Sequence, residues 1–401
     1  MPPRPFDAVW DALAPAREAI RRRDELTVAR QVQLATTPAP TGDEGPRGRW
    51  MTTQLRAAGL RDVTTDAAGN VRAWWRGGGP ATAPRRAAVV VCAHLDTVFP
   101  REVPHVVARQ GARYTGPGIG DNARGLSAML TVAETLVQAA PTLTHDVCFA
   151  CTTGEEGDGD LRGARHLFAT LETTPAAAII LDGPGDDRLV FEAVGARRFR
   201  IAFRGPGGHS WADAGTPSAV HAAARCAARL AEWPTPAQPR TTLGVARIGG
   251  GTAINAIAGD AWLEVDARST SPVMLDRLER EVRRMAQAAA DAEGARRPAG
   301  TPGLTVRIDV TGARPAGAIG AAHPLVQMAQ AATRAIGRVP VTATASTDAN
   351  VPLSLGIPAV AMGAGGVGGG AHTPQEWYEN RDGARGVERA FGMIVAVAYG
   401  D

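Results

Sequence analysis

Two textures of hydrophobic patterning divide this chain. From the amino terminus to about residue 195, stretches with helical spacing of apolar residues alternate with short, uninterrupted apolar runs. Residues 5–34 repeat with a helical period and 48–58 continue it, whereas 87–93 form a β-branched apolar run of the kind buried in the centre of a sheet. A helix at 126–139, a strand at 146–152, a helix at 164–171 and a strand at 177–181 are predicted next. Buried strands separated by helices imply a largely parallel or mixed sheet covered on both faces.

Around Gly195 the texture changes. The pattern predicts a strand at 198–204, a helix at 217–231, strands at 242–248 and 261–269, a helix at 273–292 and a strand at 304–310. That order, β-α-β-β-α-β, is the ferredoxin-like split unit. The first texture then resumes with a helix at 323–336, a short strand at 359–362 and a closing helix at 386–399. The expected fold is therefore α/β: a mixed sheet flanked by helices, built from residues 1–195 and 316–401, with a ferredoxin-like α+β domain inserted at 196–315. No internal repeat is visible. The glycine-rich residues 77–84 read as a loop, and 363–370 form a second glycine-rich stretch.

Composition narrows the function classes. At 401 residues, with 44% apolar and 21% charged residues, the chain can bury more than one core and is neither disordered nor fibrous. A net charge of +3 spread along the sequence gives no reason to expect nucleic acid or membrane as a partner. All 43 basic residues are arginine. Without lysine there is no Schiff base, no Walker-type phosphate loop and no lysine general base. Residues 1–23 lack the apolar core of a secretory signal, and no apolar stretch reaches the roughly 20 residues that span a bilayer, so a cytoplasmic location is expected. Cys148 and Cys151 form a C-x-x-C inside a predicted strand, where a separation of three places them on opposite faces. Reduced, buried thiols fit better than a redox or zinc pair.

The candidate chemistry gathers where apolar runs end. The run 89–93 closes on His94, followed two residues later by Asp96, a spacing that sends both side chains to one side. Asp96 is suited to orient a metal-binding His94 through its second ring nitrogen. The stretch Gly116-Pro117-Gly118-Ile119-Gly120-Asp121-Asn122 allows close backbone approach and offers a carboxylate able to bridge two metals. As a phosphate cradle it lacks the required lysine and glycine order, and an aspartate there can also be only a helix cap. Glu155 and Glu156 are adjacent acids after another apolar strand. Both pointing into a protected site is costly unless cations are present. One can then bind metal while the other takes a proton from water, although a solvated turn is the plainer alternative. Asp182 repeats the placement of His94 at the end of 178–181, and the glycine run 363–370 leads into His372. Five potential ligands at five expected strand ends, three carboxylates and two imidazoles, suit zinc, with manganese or cobalt as alternatives.

Taken together, Ala93-His94-Leu95-Asp96-Thr97-Val98, Gly120-Asp121-Asn122, Gly154-Glu155-Glu156-Gly157, Asp182 and Ala371-His372-Thr373-Pro374-Gln375-Glu376 resemble, in order, the motifs of the di-zinc metallopeptidases that include peptidase T, carboxypeptidase G, aminoacylase-1 and succinyl-diaminopimelate desuccinylase. The resemblance covers nearly the whole chain. It implies that His94 and Asp182 hold one metal ion, Glu156 and His372 the other, and that Asp121 bridges them. It also implies Glu155 as general acid/base, Asp96 as the residue orienting His94, and a cis peptide between Asp121 and Asn122. In the inserted domain, Gly205-Pro206-Gly207-Gly208-His209-Ser210 resembles the motif whose histidine crosses a dimer interface to stabilise an oxyanion. His209 is the candidate for that role, with Asn255 and Arg268 as candidates for gripping a substrate carboxylate.

The function expected from this resemblance is hydrolysis of peptide or amide bonds in small substrates, in a homodimer joined through the inserted lid and dimerisation domain. An aspartate at position 182 and the segment Ser346-Thr347-Asp348 are more similar to peptidase T-like aminopeptidases. An N-acyl-amino-acid amidohydrolase or carboxypeptidase, including specialised amide and aromatic-amine hydrolases, is the alternative. A metal-binding pseudoenzyme would have no need of Glu155 beside a ligand.

Overall fold

A computed structural model describes residues 6–76, 87–295 and 297–400, so the loop expected at 77–84 lies outside the described residues. Contacts divide the chain into two compact units, Met1–Ala193 with Ala318–Asp401, and Val194–Gly317.

The first unit is organised by a mixed sheet. Its strands run in the spatial order Arg61–Thr65, Val71–Trp75, Asp146–Thr152, Ala88–His94, Ala177–Leu181, Ala359–Met362 and Arg188–Ala193, with Val341–Ala345 also paired to the last. Ala88–His94 is parallel to both of its neighbours, and Ala177–Leu181 is parallel to Ala359–Met362. A strand parallel to both neighbours and covered on both faces reads as continuous apolar sequence, and all seven residues of Ala88–His94 are buried. Its side chains still alternate. Val89, Val91 and Ala93 enter the core beneath helices Ala123–Ala139 and Gly383–Tyr399, while Ala88, Val90 and Cys92 enter the core that includes Leu167, Phe168 and Val351. Cys151 and Cys148 divide between the same two cores, and all four cysteines are buried and free. Burying a valine or phenylalanine fully contributes about 1.5–3 kcal/mol. The long central strands are therefore rigid supports for whatever their carboxyl ends carry.

A small antiparallel sheet in the same unit joins distant parts of the sequence. Arg113–Thr115 pairs with Ala108–Gln110 on one side and Trp377–Glu379 on the other, and the latter pairs with Val367–Gly369. Thr115 is thus in register with Trp377, which brings the glycine-rich loop after Thr115 beside the turn before Trp377.

The second unit has four long strands, Gly195–Arg204, Thr241–Gly250, Asp260–Ser269 and Thr305–Gly312, with helices Ala219–Ala231 and Pro272–Gly294. In order of sequence the strands lie 2-3-1-4, all antiparallel, which is the ferredoxin-like arrangement. Strict alternation along Asp260–Ser269 puts Ala261, Leu263, Val265 and Ala267 into a core with Phe199, Ile201, Leu278 and Val282. Ser218 and Ser271 cap the two helices through their side-chain oxygens. Among the described residues, no helix is long and apolar enough to cross a membrane.

Candidate metal centre

Three strands of the first unit's sheet deliver candidate ligands at or just beyond their carboxyl ends. His94 is the last residue of its strand, Asp182 follows Ala177–Leu181, and Glu155 and Glu156 follow Asp146–Thr152 after a two-residue turn. The expectation of five strand ends needs correction for the other two. Asp121 sits in the glycine-rich loop directly before helix Ala123–Ala139, and His372 sits in the turn between Val367–Gly369 and Trp377–Glu379. Asp121 is not the cap of that helix. Asn122 is, accepting the Gly125 N–H at 3.0 Å. The peptide between Asp121 and Asn122 is cis, as the resemblance implies.

These side chains converge. His94 Nε2 lies 2.9 Å from Asp121 Oδ1 and 3.8 Å from Asp182 Oδ1. His372 Nε2 lies 2.9 Å from Glu156 Oε1 and 3.3 Å from Asp121 Oδ2. The two oxygens of Asp121 therefore face two different imidazoles. Ligand atoms fall within 4.8 Å of one another in the groups His94–Asp121–Asp182 and Asp121–Glu156–His372, and also in His94–Glu155–Glu156.

Burial opposes protonation of His94, yet the hydrogen-bonded carboxylate of Asp121 and the nearby carboxylates of Asp182 and Asp96 outweigh it and lift its pKa well above the ordinary histidine value. Hydrogen bonds with Asp121 and Glu156 raise His372 to about 10 against the opposing effect of burial. Burial alone would raise Asp121, but the two histidines pull it well below the usual carboxylate range. The cluster of carboxylates thus favours positive charge at this place. Two imidazole nitrogens and three carboxylates sharing one central member also form the donor set of a pair of divalent cations, so the residues present fit such a pair.

The surrounding layer locks each ligand segment to another. Asp96 is fully buried; its Oδ1 accepts the Glu155 N–H at 3.0 Å, and its Oδ2 accepts the Glu156 N–H at 2.9 Å and the Thr41 hydroxyl at 2.8 Å. Burial pushes its pKa up, but His94 and these N–H donors bring it down to about 2. His94 Nδ1 lies 3.1 Å from the main-chain oxygen of Asp96 and 3.6 Å from its carboxylate. The His94 ring is thus hydrogen-bonded to the backbone of Asp96, while the Asp96 carboxylate holds the Glu155-Glu156 turn. Asn122 donates to Leu181 O at 2.9 Å and accepts from Gly183 N at 3.1 Å, gripping both neighbours of Asp182. Glu44 accepts the Gly154 N–H at 3.0 Å and pairs with Arg162. Glu376 accepts N–H groups from Gly118, Gly120 and Asp121.

Asn122, Glu376 and Glu44 had no role in the sequence reading. Asn122 and Glu376 lie inside the motifs, but their partners are unreadable without the fold. Asp348 is buried with its Oδ2 accepting the Thr152 hydroxyl at 2.5 Å, and burial raises it to about 6 despite that bond. Thr152 is itself in register with His94.

The second unit carries the remaining candidates, His209, Asn255 and Arg268. His209 is exposed on the short strand Gly208–His209, where it pairs with Ala256, and the Ser210 N–H donates to Asn255 O at 2.9 Å. His209 and Asn255 are therefore neighbours. Arg268 Nε lies 2.7 Å from Asp266 Oδ2, so its guanidinium is already engaged by an acid on the same strand face.

Known proteins share this architecture. The PepT aminopeptidase of Bacillus cereus ATCC 10987 superposes with a TM-score of 0.74 at 22% identity, over 94% of this chain and 99% of that one. A tripeptidase of Staphylococcus aureus superposes with a TM-score of 0.75 at 21% identity, over 94% and 98%. The YxeP protein of Bacillus subtilis, a dinuclear metal binding peptidase, gives 0.68 at 17% identity over 94% and 98%. In sequence, the uncharacterized protein YqjE of Bacillus subtilis is 25% identical over 312 residues, 76% of this chain and 78% of that protein. The model of Peptidase family M20/M25/M40 matches residues 90–395, a span that contains all five converging candidate ligands, and the chain accordingly belongs to that family, a metal-dependent hydrolase of peptide and amide bonds.

Proposed function

We propose that this protein is an aminopeptidase of small peptides with a dinuclear metal centre, most similar in task to peptidase T. His94 and Asp182 would hold one cation, Glu156 and His372 the other, and Asp121 both. When bound, the cations, zinc in this reading with manganese or cobalt as alternatives, polarise the scissile carbonyl and acidify water. The observation that carries the proposal is Asp121, whose Oδ1 faces His94 and whose Oδ2 faces His372, with Glu155 beside a ligand carboxylate.

Glu155 is the proton carrier. Its carboxylate takes a proton from the attacking water and returns it to the departing amine. The Asp96 carboxylate holds the main-chain N–H groups of Glu155 and Glu156, so the base and its ligand neighbour keep a fixed spacing. His209, from the partner subunit of a homodimer assembled through the inserted domain, would donate to the oxyanion. Its Nδ1 accepts the Trp211 and Ala212 N–H groups at 3.2 and 3.3 Å, which leaves the ring proton on Nε2 and makes that nitrogen a donor. Asn255, adjacent to His209, would contact the substrate's polar end. Arg268 would have to share its guanidinium between Asp266 and a substrate carboxylate.

The aminopeptidase preference is supported by an aspartate at position 182, by the Ser346-Thr347-Asp348 segment, and by the shared fold of PepT from Bacillus cereus and the Staphylococcus aureus tripeptidase. A cytoplasmic location belongs to the same reading.

Protein of measured metal content, assayed side by side on free-amine tripeptides and N-acetylated amino acids with products identified by mass spectrometry, tests it. Release of the amino-terminal residue from tripeptides is expected, and cleavage of only the acylated set would transfer the assignment to an amidohydrolase. Glu155→Gln is expected to lower kcat about 10²- to 10⁴-fold with both metal ions retained. Near-normal turnover in that variant would remove Glu155 from the mechanism.

A further inference from the structure

We propose that Glu376 is a positioning residue that sets the placement of Asp121, by clamping the loop that carries the bridging carboxylate to the turn that carries His372. The inference rests on the dinuclear reading above. Glu376 is 2% exposed and lies four residues after His372. Its Oε1 accepts the N–H groups of Gly120 and Asp121, each at 2.7 Å, and its Oε2 accepts that of Gly118 at 3.0 Å. One side chain thus satisfies three main-chain donors in a four-residue stretch. Burial lifts the Glu376 pKa to about 7, and the three N–H donors oppose that rise because they favour the ionised form, in which both oxygens accept and neither donates. Bonds of this kind to an ionised acceptor are about twice as strong as neutral ones.

The clamp is continued by the backbone of Glu376 and of the residue after it. Gly116 N–H donates to Glu376 O at 2.8 Å, and Trp377 is in register with Thr115. Close approach is also built into the loop. A Cβ at position 120 would stand 2.9 Å from Glu376 Oε1, so the glycine there leaves room for the carboxylate.

Function enters because one of the three donors belongs to Asp121 itself. A shift of Glu376 reaches the bridging residue with no intermediary, and Asp121 Oδ2 must remain opposite His372 Nε2, now 3.3 Å away. Asp96 and Asn122 perform comparable tasks, but both join segments of the amino-terminal half. Glu376 ties a loop near residue 120 to a turn more than 250 positions later, and so fixes the first-half ligand against the second-half ligand. Misplacement of a catalytic group by about 1 Å can cost about 10²-fold in rate.

Glu376→Gln separates positioning from bulk. The amide has the same shape, but its NH₂ must face at least one of the three N–H donors, which then loses its acceptor. Metal-free wild type, E376Q, E376D and a control, Leu167→Ala in the core on the opposite face of the sheet, are titrated with Co²⁺ alone, following calorimetry and the visible spectrum, with Tm recorded for each. Wild type and L167A are expected to take up two equivalents. E376Q is expected to keep one and bind the other about 10- to 100-fold more weakly, with an altered cobalt spectrum, and its kcat falls on that same scale while KM stays within about threefold. E376D, which keeps the charge, recovers part of the lost affinity. The proposal is overturned if E376Q binds both equivalents as wild type does, or loses affinity only in proportion to its Tm along with L167A. Should E376Q fail to fold, Gly120→Ala, which crowds the same carboxylate, must give the split affinity or the proposal fails. Wild type taking up fewer than two equivalents would instead overturn the dinuclear reading, an outcome distinct from any of these.

Discussion

The two candidate ligand groups that share Asp121 are built on different supports. His94 is 2% exposed at the tip of a strand paired on both sides, and Asp182 follows the strand next to it. On the other side of Asp121, the His372 side chain is 54% exposed and sits in a turn between two three-residue strands of a small sheet, with a backbone φ of 65°. The first group inherits its geometry from the hydrophobic core, whereas the second depends on hydrogen bonds that hold a surface turn in place. A ligand on a packed strand is placed before any metal arrives. A ligand on a turn is placed only as well as its clamps hold, and local opening is easiest where burial is least. In the dinuclear reading proposed above, the two cation positions should accordingly differ in affinity although they share a carboxylate.

Asp121→Ala removes the one residue common to both groups, so metal uptake measured by elemental analysis should fall for both equivalents and turnover by about 10³-fold or more. Retention of two tightly bound ions would end the shared-carboxylate account. Substitution of each histidine distinguishes the two groups. His94→Ala should abolish the tighter equivalent and lower the stability of the metal-free protein, because Asp121, Asp182 and Asp96 lose their buried counter-charge, at a cost of about 3–5 kcal/mol. His372→Ala should abolish only the weaker equivalent, with stability changed by less than about 1 kcal/mol, as expected for a half-exposed side chain. Urea denaturation and metal titration of both variants test this ordering, and equal stability losses would contradict it. The smallest effect on metal uptake is expected from Asn122→Ala, which leaves the N–H groups of Gly125 and Gly183 without their acceptor at a cost of about 1–3 kcal/mol in stability while the candidate ligands themselves are untouched. Denaturant midpoints report that loss, and a weakened equivalent on the His94–Asp182 side should accompany it.

How much was legible in the sequence depended on the range of the interaction. The strand expected at 87–93 is Ala88–His94, and the helix expected at 273–292 is Pro272–Gly294, because each carries its own period over many residues. The opposite-face prediction for Cys148 and Cys151 held for the same reason. Asp121 and His372 were expected at strand ends and lie instead in a loop before a helix and in a turn, since glycine-rich sequence encodes permissiveness rather than a particular path. Arg268 offered a charge of the right sign, but its pairing with Asp266 needs the pleat to bring i and i+2 together on one face with suitable rotamers.

Sequence alone determined the classes of chemistry open to this chain: the absence of lysine closed several, and the order of acids and histidines at the ends of apolar runs pointed to metal-dependent hydrolysis. It also determined the two textures that become a mixed sheet and a ferredoxin-like insertion, since those follow from local periodicity. Tertiary structure alone decided which oxygen of Asp121 meets which imidazole, that Asp96 holds the Glu155-Glu156 turn, and that Glu376 reaches back across more than 250 positions to a loop it never adjoins in sequence. Such contacts depend on ångström-scale distances between segments joined only through packing, and no pattern along a single chain encodes a distance of that kind.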